Sequence, residues 1–314
     1  MCLSEAKGMD INMKNITTKQ FQPLADNQLV WDLLVKNYEE NGVAAPFFEY
    51  ALTSTWLDKR YLYLNRLWFD GDKTVGFVFY EDPCTEIHFS LNCGYEELAD
   101  EMIGYAEKCM PGNDDDKTLI FEPNQKTLME VAKKHGYRQN YVDEGYVIDF
   151  EVAELKYSLP KGFHFVKPNE VDPLKLAICT WKGFNHEDKG PFENWEAEDP
   201  GTYWNPQKAY QNVVGKIMAP PPHCTYEYDV IIANDNNDYV CYAGMWWVPE
   251  NKLAYMEPLC TIPEYRHRGL AAAALSEHYH RMKELGAEVM TGGGNAFYKK
   301  IGYNRKTLIY GWKK

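Results

Sequence analysis

Several common signals are missing from this sequence. No stretch approaches the ~18 consecutive apolar residues of a membrane-spanning helix, so no span is expected. The opening MCLSEAKGMDINMKN lacks the apolar core of a secretory leader, which points to a cytoplasmic address. The eight cysteines are scattered without a CxxC pair, a pattern of reduced thiols rather than a disulfide framework. No Cys or His grouping falls at metal-ligand spacing, so no metal is expected. The nearest, His278 and His280, alternate on a predicted helix and point apart. Basic residues are scarce: 33 Lys and Arg face 46 Asp and Glu, a net charge of −13. A nucleic-acid binder needs a basic footprint, so that partner is excluded too. Acidity suits a cationic substrate such as an amine, and it also serves solubility. Neither GxxxxGK[ST] nor GxGxxG occurs, which removes two common phosphate loops.

What is present suits a globular chain with real cores. Hydrophobic residues make up 45% and charged residues 25% of 314 positions, and that length predicts about two domains. The halves run over 16–152 and 160–314, separated by a Pro160, Lys161, Gly162 turn signal. The first half predicts helices over Asn27–Glu40 and Phe47–Lys59. Strands follow at Tyr61–Phe69 and Thr74–Tyr80 around a GDK hairpin turn. EIHFSL and TLIFEP read as further strands, each followed by a helical pattern, and NYVDEGYVIDF closes the half. The second half repeats that order, from FHFVKP and a helix at Pro173–Phe184 to a final RKTLIYGW. The echo of KKHGY (133–137) in KKIGY (299–303) indicates an internal duplication of one α/β unit. One segment stands outside the pattern. Residues 181–206 are aperiodic and rich in Trp, Gly, Pro and acids, as expected of a lid or substrate wall.

A basic knot inside this acidic chain carries the chemistry. In AYMEPLCTIPEYRHRGLAAAAL a strand meets a tight turn and then a helix. The first helical turn leaves backbone N–H groups unpaired, and the helix dipole adds partial positive charge there. Gly269 lets a bulky anion approach without a Cβ in the way. With Arg266 and Arg268, the corner reads as a phosphate cradle.

The pattern Arg266-x-x-Gly269-x-Ala271 resembles the [QR]-x-x-G-x-[GA] signature of the GNAT superfamily, the acetyl-CoA-dependent N-acetyltransferases. FYKKIGY also resembles that family's terminal text, with Tyr298 four residues before Gly302. The resemblance implies an α/β fold on a mixed sheet: two tandem GNAT-like acyl-CoA transferase domains, the first degenerate. It implies acetyl-CoA as co-substrate, with Leu259, Cys260 and Thr261 offering backbone to the pantetheine arm. Arg266, His267, Arg268, Gly269, Leu270 and Ala271 would wrap the pyrophosphate, and Tyr298 would protonate the departing thiolate. A phenol of ordinary pKa ~10 can donate to a thiolate whose acid lies near ~8.5. One departure stands: where the family often has asparagine, this sequence has Thr291 followed by GGG, and the role of Asn295 is open. The first half lacks both grip and acid, having Gly94 without an arginine and Ala132 in the tyrosine slot.

A protonated amine must lose its proton before attacking a thioester. Glu257 is the candidate base, on a strand where simple alternation aligns it with Tyr255 and Leu259. A structural ion pair for Glu257, or Glu187 or Asp188 as base, are the alternatives. Cys260 reads as a buried small hydrophobe rather than an acyl carrier. Trp181, Trp204 and Trp246 are the expected walls of the amine pocket. The sequence thus predicts a monomeric or homodimeric N-acetyltransferase acting on a primary amine of a small molecule or peptide. A catalytically silent acyl-CoA sensor is the competing class.

Overall fold

The computed structural model describes residues 14–39, 42–193, 204–218 and 220–314. The first half supplies strands β1 (Ile16–Gln20), β2 (Arg66–Asp70), β3 (Lys73–Tyr80), β4 (Glu86–Leu91), β5 (Thr118–Phe121) and β6 (Arg138–Asp149). Its helices are α1 (Pro23–Asn37), α2 (Ala45–Thr53), α3 (Ala99–Cys109) and α4 (Lys126–Lys134). The second half supplies β7 (Phe163–Phe165), β8 (Val230–Asn234), β9 (Tyr239–Val248), β10 (Leu253–Thr261), β11 (Val289–Thr291) and β12 (Arg305–Lys313). Its helices are α5 (Pro173–Gly183), α6 (Pro206–Met218), α7 (Leu270–Glu284) and α8 (Ala296–Ile301).

Local chemistry explains the element ends. Asp172 caps α5 by accepting from the Leu174 and Lys175 amides at 2.8 and 3.1 Å. The helices of the two echoed endings stop at Gly136 and Gly302, with φ of +92° and +121°, conformations that favour glycine. The strand expected from Tyr61 starts only at Arg66. Asp58 accepts from the Arg60 amide at 3.2 Å and winds Lys59–Leu64 into a 3₁₀ turn first. Sequence patterning missed two elements: β1, a short polar edge strand, and α6, which follows the aperiodic loop and begins with Pro206.

The strands form one mixed sheet, ordered β1-β2-β3-β4-β5-β12-β6-β11-β10-β9-β8-β7. The halves exchange strands at its centre. The last strand of the second half, β12, lies between β5 and β6 of the first, pairing Tyr310 with Phe121 and Arg305 with Val147. In turn β6 pairs with β11, Val289 opposite Asp149. Neither half completes its own sheet, so each depends on the other to cover a strand edge.

The cores are shared in the same way. The largest buried cluster is built on the first half, including Trp68, Phe77 and Phe89, and it takes in Trp246, Val248 and Leu253 of the second. On the opposite face of the central strands, α7 and α8 pack against Met245, Met256 and Met290. A third cluster lies under α5 and α6. Among the described residues no helix is long and apolar enough to cross a membrane.

Candidate functional site

The site grows from the way β10 leaves its neighbours. It pairs with β11 in parallel only at Leu253–Val289 and Ala254–Met290. Beyond that point the Met256 amide donates to the Thr291 hydroxyl at 2.8 Å, and the strands part. On its other side, β10 follows β9 in register to Met256–Met245, then resumes at Leu259–Ala243. Glu257 and Pro258 therefore stand opposite Gly244 alone, a bulge that re-aims side chains. This corrects the simple alternation expected for the strand. Tyr255 and Glu257 face the cavities between the halves, whereas Leu259 packs on the opposite side with Ala243 and Leu270. Cys260 faces α5, buried beside Cys179, with a Cβ on Gly183 only 2.8 Å from its own Cβ.

After β10 the chain makes the expected corner. His267 and Gly269 have φ of +59° and +84°, and Gly269 caps α7 without a side-chain bond. The amides of Arg268, Gly269, Leu270 and Ala271 have no acceptor among the described residues. The corner is exposed at 267–269 and opens a 15-residue helix, so an anionic diphosphate fits it. The Arg266 guanidinium is placed differently from the expected fork on phosphate. It donates to the carbonyls of Thr261 and Gly183 at 3.0 and 2.9 Å, and to Asn185 Oδ1 at 2.7 Å. Arg266 thus pins the strand end to α5, while Arg268 stays exposed and lies over Tyr265.

Tyr298 is buried on α8, against the glycines that follow Thr291. A Cβ on Gly292 would lie 2.6 Å from the Tyr298 ring, and one on Gly293 2.8 Å from it. The glycines are therefore the space that this ring occupies. Asn295 caps α8, accepting from the Phe297 amide at 2.9 Å. Burial first, and the Glu257 charge second, hold the Tyr298 phenol well above its ordinary range, so it stays protonated.

Glu257 lies between two cavities that converge on it. The first, about 570 Å³, is walled by Tyr50 and Trp56 from the first half and by Trp181, Phe184 and Trp204 from the second. Its carboxylates are Glu257, Glu81 and Asp82. Burial pushes Glu257 up to about 7, with Lys216 pulling back, and pushes Glu81 up to about 8, helped by the charge of Glu257. Trp181 and Trp204 thus line this cavity, while Trp246 lies instead in the shared core, edge-on to Tyr50 at 6.5 Å. Residues 194–203 of the expected lid lie outside the described residues. Glu187 and Asp188 are exposed and do not line the cavity.

Lys216 was not legible, because α6 was not. It donates to the Tyr242 hydroxyl at 2.7 Å and pairs with Asp229 at 3.2 Å; Tyr242 donates to the same carboxylate at 2.8 Å. Asp229 is buried and also accepts from the Met245 amide at 2.9 Å, next to the bulge partner Gly244. Among the described residues no group of three His, Cys, Asp or Glu could hold a metal. His278 is buried, its Nε2 3.0 Å from the Tyr228 carbonyl. The first half carries the corresponding parting of β4 from β5, which pair only at Glu86–Thr118 and Ile87–Leu119. Phe89 and Phe121 stack there at 5.3 Å and fill the gap.

The sequence model of the acetyltransferase (GNAT) family matches residues 173–303, from the start of α5 to just past α8. This chain carries a GNAT domain. Solved structures extend the likeness in fold to nearly the whole chain. A GNAT-family acetyltransferase from Colwellia psychrerythraea superposes with a TM-score of 0.59 at 8% identity, covering 95% of this chain and 100% of that one. A tandem GNAT protein from the clavulanic acid biosynthesis pathway gives 0.55 at 10%, covering 95% and 97%. A GCN5-related N-acetyltransferase from Sphaerobacter thermophilus gives 0.53 at 13%, covering 95% and 94%. No curated protein matches the sequence. The matched residues include the parted strands β10 and β11 and the corner at Gly269, and acyl transfer is the chemistry named for the family.

Proposed function

We propose that this chain is an N-acyltransferase moving the acyl group of a CoA thioester, acetyl-CoA in the simplest case, to a primary amine of a small molecule or peptide. Transfer is direct, in a ternary complex. The observation that carries the reading is the position of Glu257: bulged out of the parted strand, with the aromatic cavity before it and its charge felt by Tyr298.

The cavity supports a cationic acceptor, because aromatic faces and carboxylates both attract an ammonium group. Glu257, raised by burial to about 7, takes a proton from the amine as the new C–N bond forms. Tyr298 gives its proton to the sulfur as the C–S bond breaks, leaving amide and free thiol. Backbone amides of Arg268–Ala271 hold the diphosphate, and the free edge of β10 beyond Met256 is available to the pantetheine amides.

The test is thiol release from acetyl-CoA across a panel of mono- and diamines, with Tyr298→Phe and Glu257→Gln alongside. An active wild type and two slow variants that still bind CoA would support the reading. CoA binding with no thiol released by any amine would leave a silent acyl-CoA binder.

A further inference from the structure

A second cavity also opens beside Glu257. It encloses about 580 Å³, far more than an acetyl group fills. Both halves build it: Phe47, His88 and Glu122 from the first, Met256, Glu257 and Thr291 from the second.

His88 and Glu122 are unusual within it. Their exposures are 7% and 3%, yet His88 Nδ1 and Glu122 Oε2 have no hydrogen-bond partner among the described residues. Buried polar atoms are rarely left unpaired without a ligand or water to complete them. Burial pushes Glu122 up to about 8 and His88 down to about 3, so near neutrality both are uncharged groups able to donate and accept. Carboxylates line both cavities, Glu81 and Asp82 in the first and Asp143 and Glu144 in the second. What sets the second apart is the buried, unpartnered pair of His88 and Glu122, which suits an uncharged hydrogen-bonding group. A chain lying in the second ends at Glu257, where the strands part beside Thr291.

We propose that the second cavity is an acyl pocket. It takes the acyl chain of a CoA thioester several carbons long, bearing a hydroxyl or amide near its end that pairs with His88 and Glu122. The entry of the chain beside Glu257 rests on the transfer reading above; the pocket itself is tested without turnover.

The experiment is calorimetric titration with unreactive thioethers: S-ethyl-CoA, S-hexyl-CoA and S-(6-hydroxyhexyl)-CoA. Affinity should rise by about fourfold for each methylene buried. Glu122→Leu should weaken the hydroxyhexyl probe about fivefold relative to the hexyl probe, and Glu122→Gln should largely restore that ratio. His88→Phe supplies the same comparison if Glu122→Leu does not fold. Equal affinities along the chain series, or a ratio unmoved in both variants, would overturn the pocket, including the case in which an acceptor tail fills it. Chain-dependent binding with no thiol release from any thioester would instead refute the transfer reading and leave the pocket standing. Fast acetyl transfer without chain dependence does the reverse.

Discussion

Gly244 lies directly against Glu257: a Cβ built on it would run into the Glu257 carbonyl oxygen and sit 2.9 Å from Lys216 Nζ. The candidate base projects from β10 only because its partner strand has no side chain at that point. Gly244→Ala should therefore push the bulge outward and cost about 1–3 kcal/mol of stability. It should also lower kcat more than it raises the KM for CoA. Thermal unfolding and steady-state kinetics on one preparation check both parts.

On the proposed mechanism Glu257 should set the pH dependence of the rate. A base raised to about 7 is half protonated there, so kcat/KM for the amine should climb through an acid limb near pH 7. Glu257→Gln should remove the limb together with most of the activity. Tyr298 is held upward by burial and contributes no limb in that range. Tyr298→Phe should cut kcat by about a hundredfold at every pH while CoA affinity is kept.

Lys216 bears on the same limb from another direction. Its charge pulls the Glu257 carboxyl down, and it pairs with the buried Asp229. Lys216→Met should move the acid limb to higher pH. It should also destabilise the fold by about 3–5 kcal/mol, because Asp229 loses its counter-charge. A pH–rate profile beside a denaturant melt separates the two effects.

Stability should fall as pH rises, opposite to a protein held by depressed carboxylates. Glu81, Glu122 and Glu257 all have folded pKa values raised from 4.5, to about 8, about 8 and about 7. Their folded forms bind protons more tightly than the unfolded chain does. The stability this confers is full below the unfolded value and is lost as pH rises to about 8. The midpoint should therefore drop between pH 5 and 8.5, measured by thermal unfolding across buffers, and Glu122→Gln should flatten the slope.

The two arginines of the corner should behave differently. Arg266→Lys loses the fork that ties Thr261, Gly183 and Asn185 together, so both the melting temperature and CoA affinity should drop. Arg268→Ala touches an exposed side chain and should weaken CoA binding alone, less so at high salt. Melting curves and titrations at two ionic strengths distinguish them.

The local geometry was legible because its physics is local. The strand, the Gly269 turn and the helix start lie within one short stretch, and Tyr298 is set four residues before the glycine that ends its helix. The run of glycines before that helix makes room for the Tyr298 ring, a tertiary contact. Alternation failed at Leu259 because the strand bulges at Glu257 and Pro258, where proline cannot donate to the ladder and Gly244 lies opposite. Trp246 on β9 carried no signal separating a pocket wall from a core residue; packing against Tyr50 of the first half decided that.

The sequence by itself determined most of the order of elements and the strand, turn and helix around Gly269, because capping, turns and helix dipoles act between neighbours in the chain; Tyr298 was marked out by a family resemblance. Tertiary structure alone decided the exchange of β6 and β12, the guanidinium bonds of Arg266 and the approach of Lys216 and Glu81 to Glu257. Those depend on hydrogen bonds and charges between residues tens to hundreds of positions apart, and on burial depth, which no stretch of sequence carries alone.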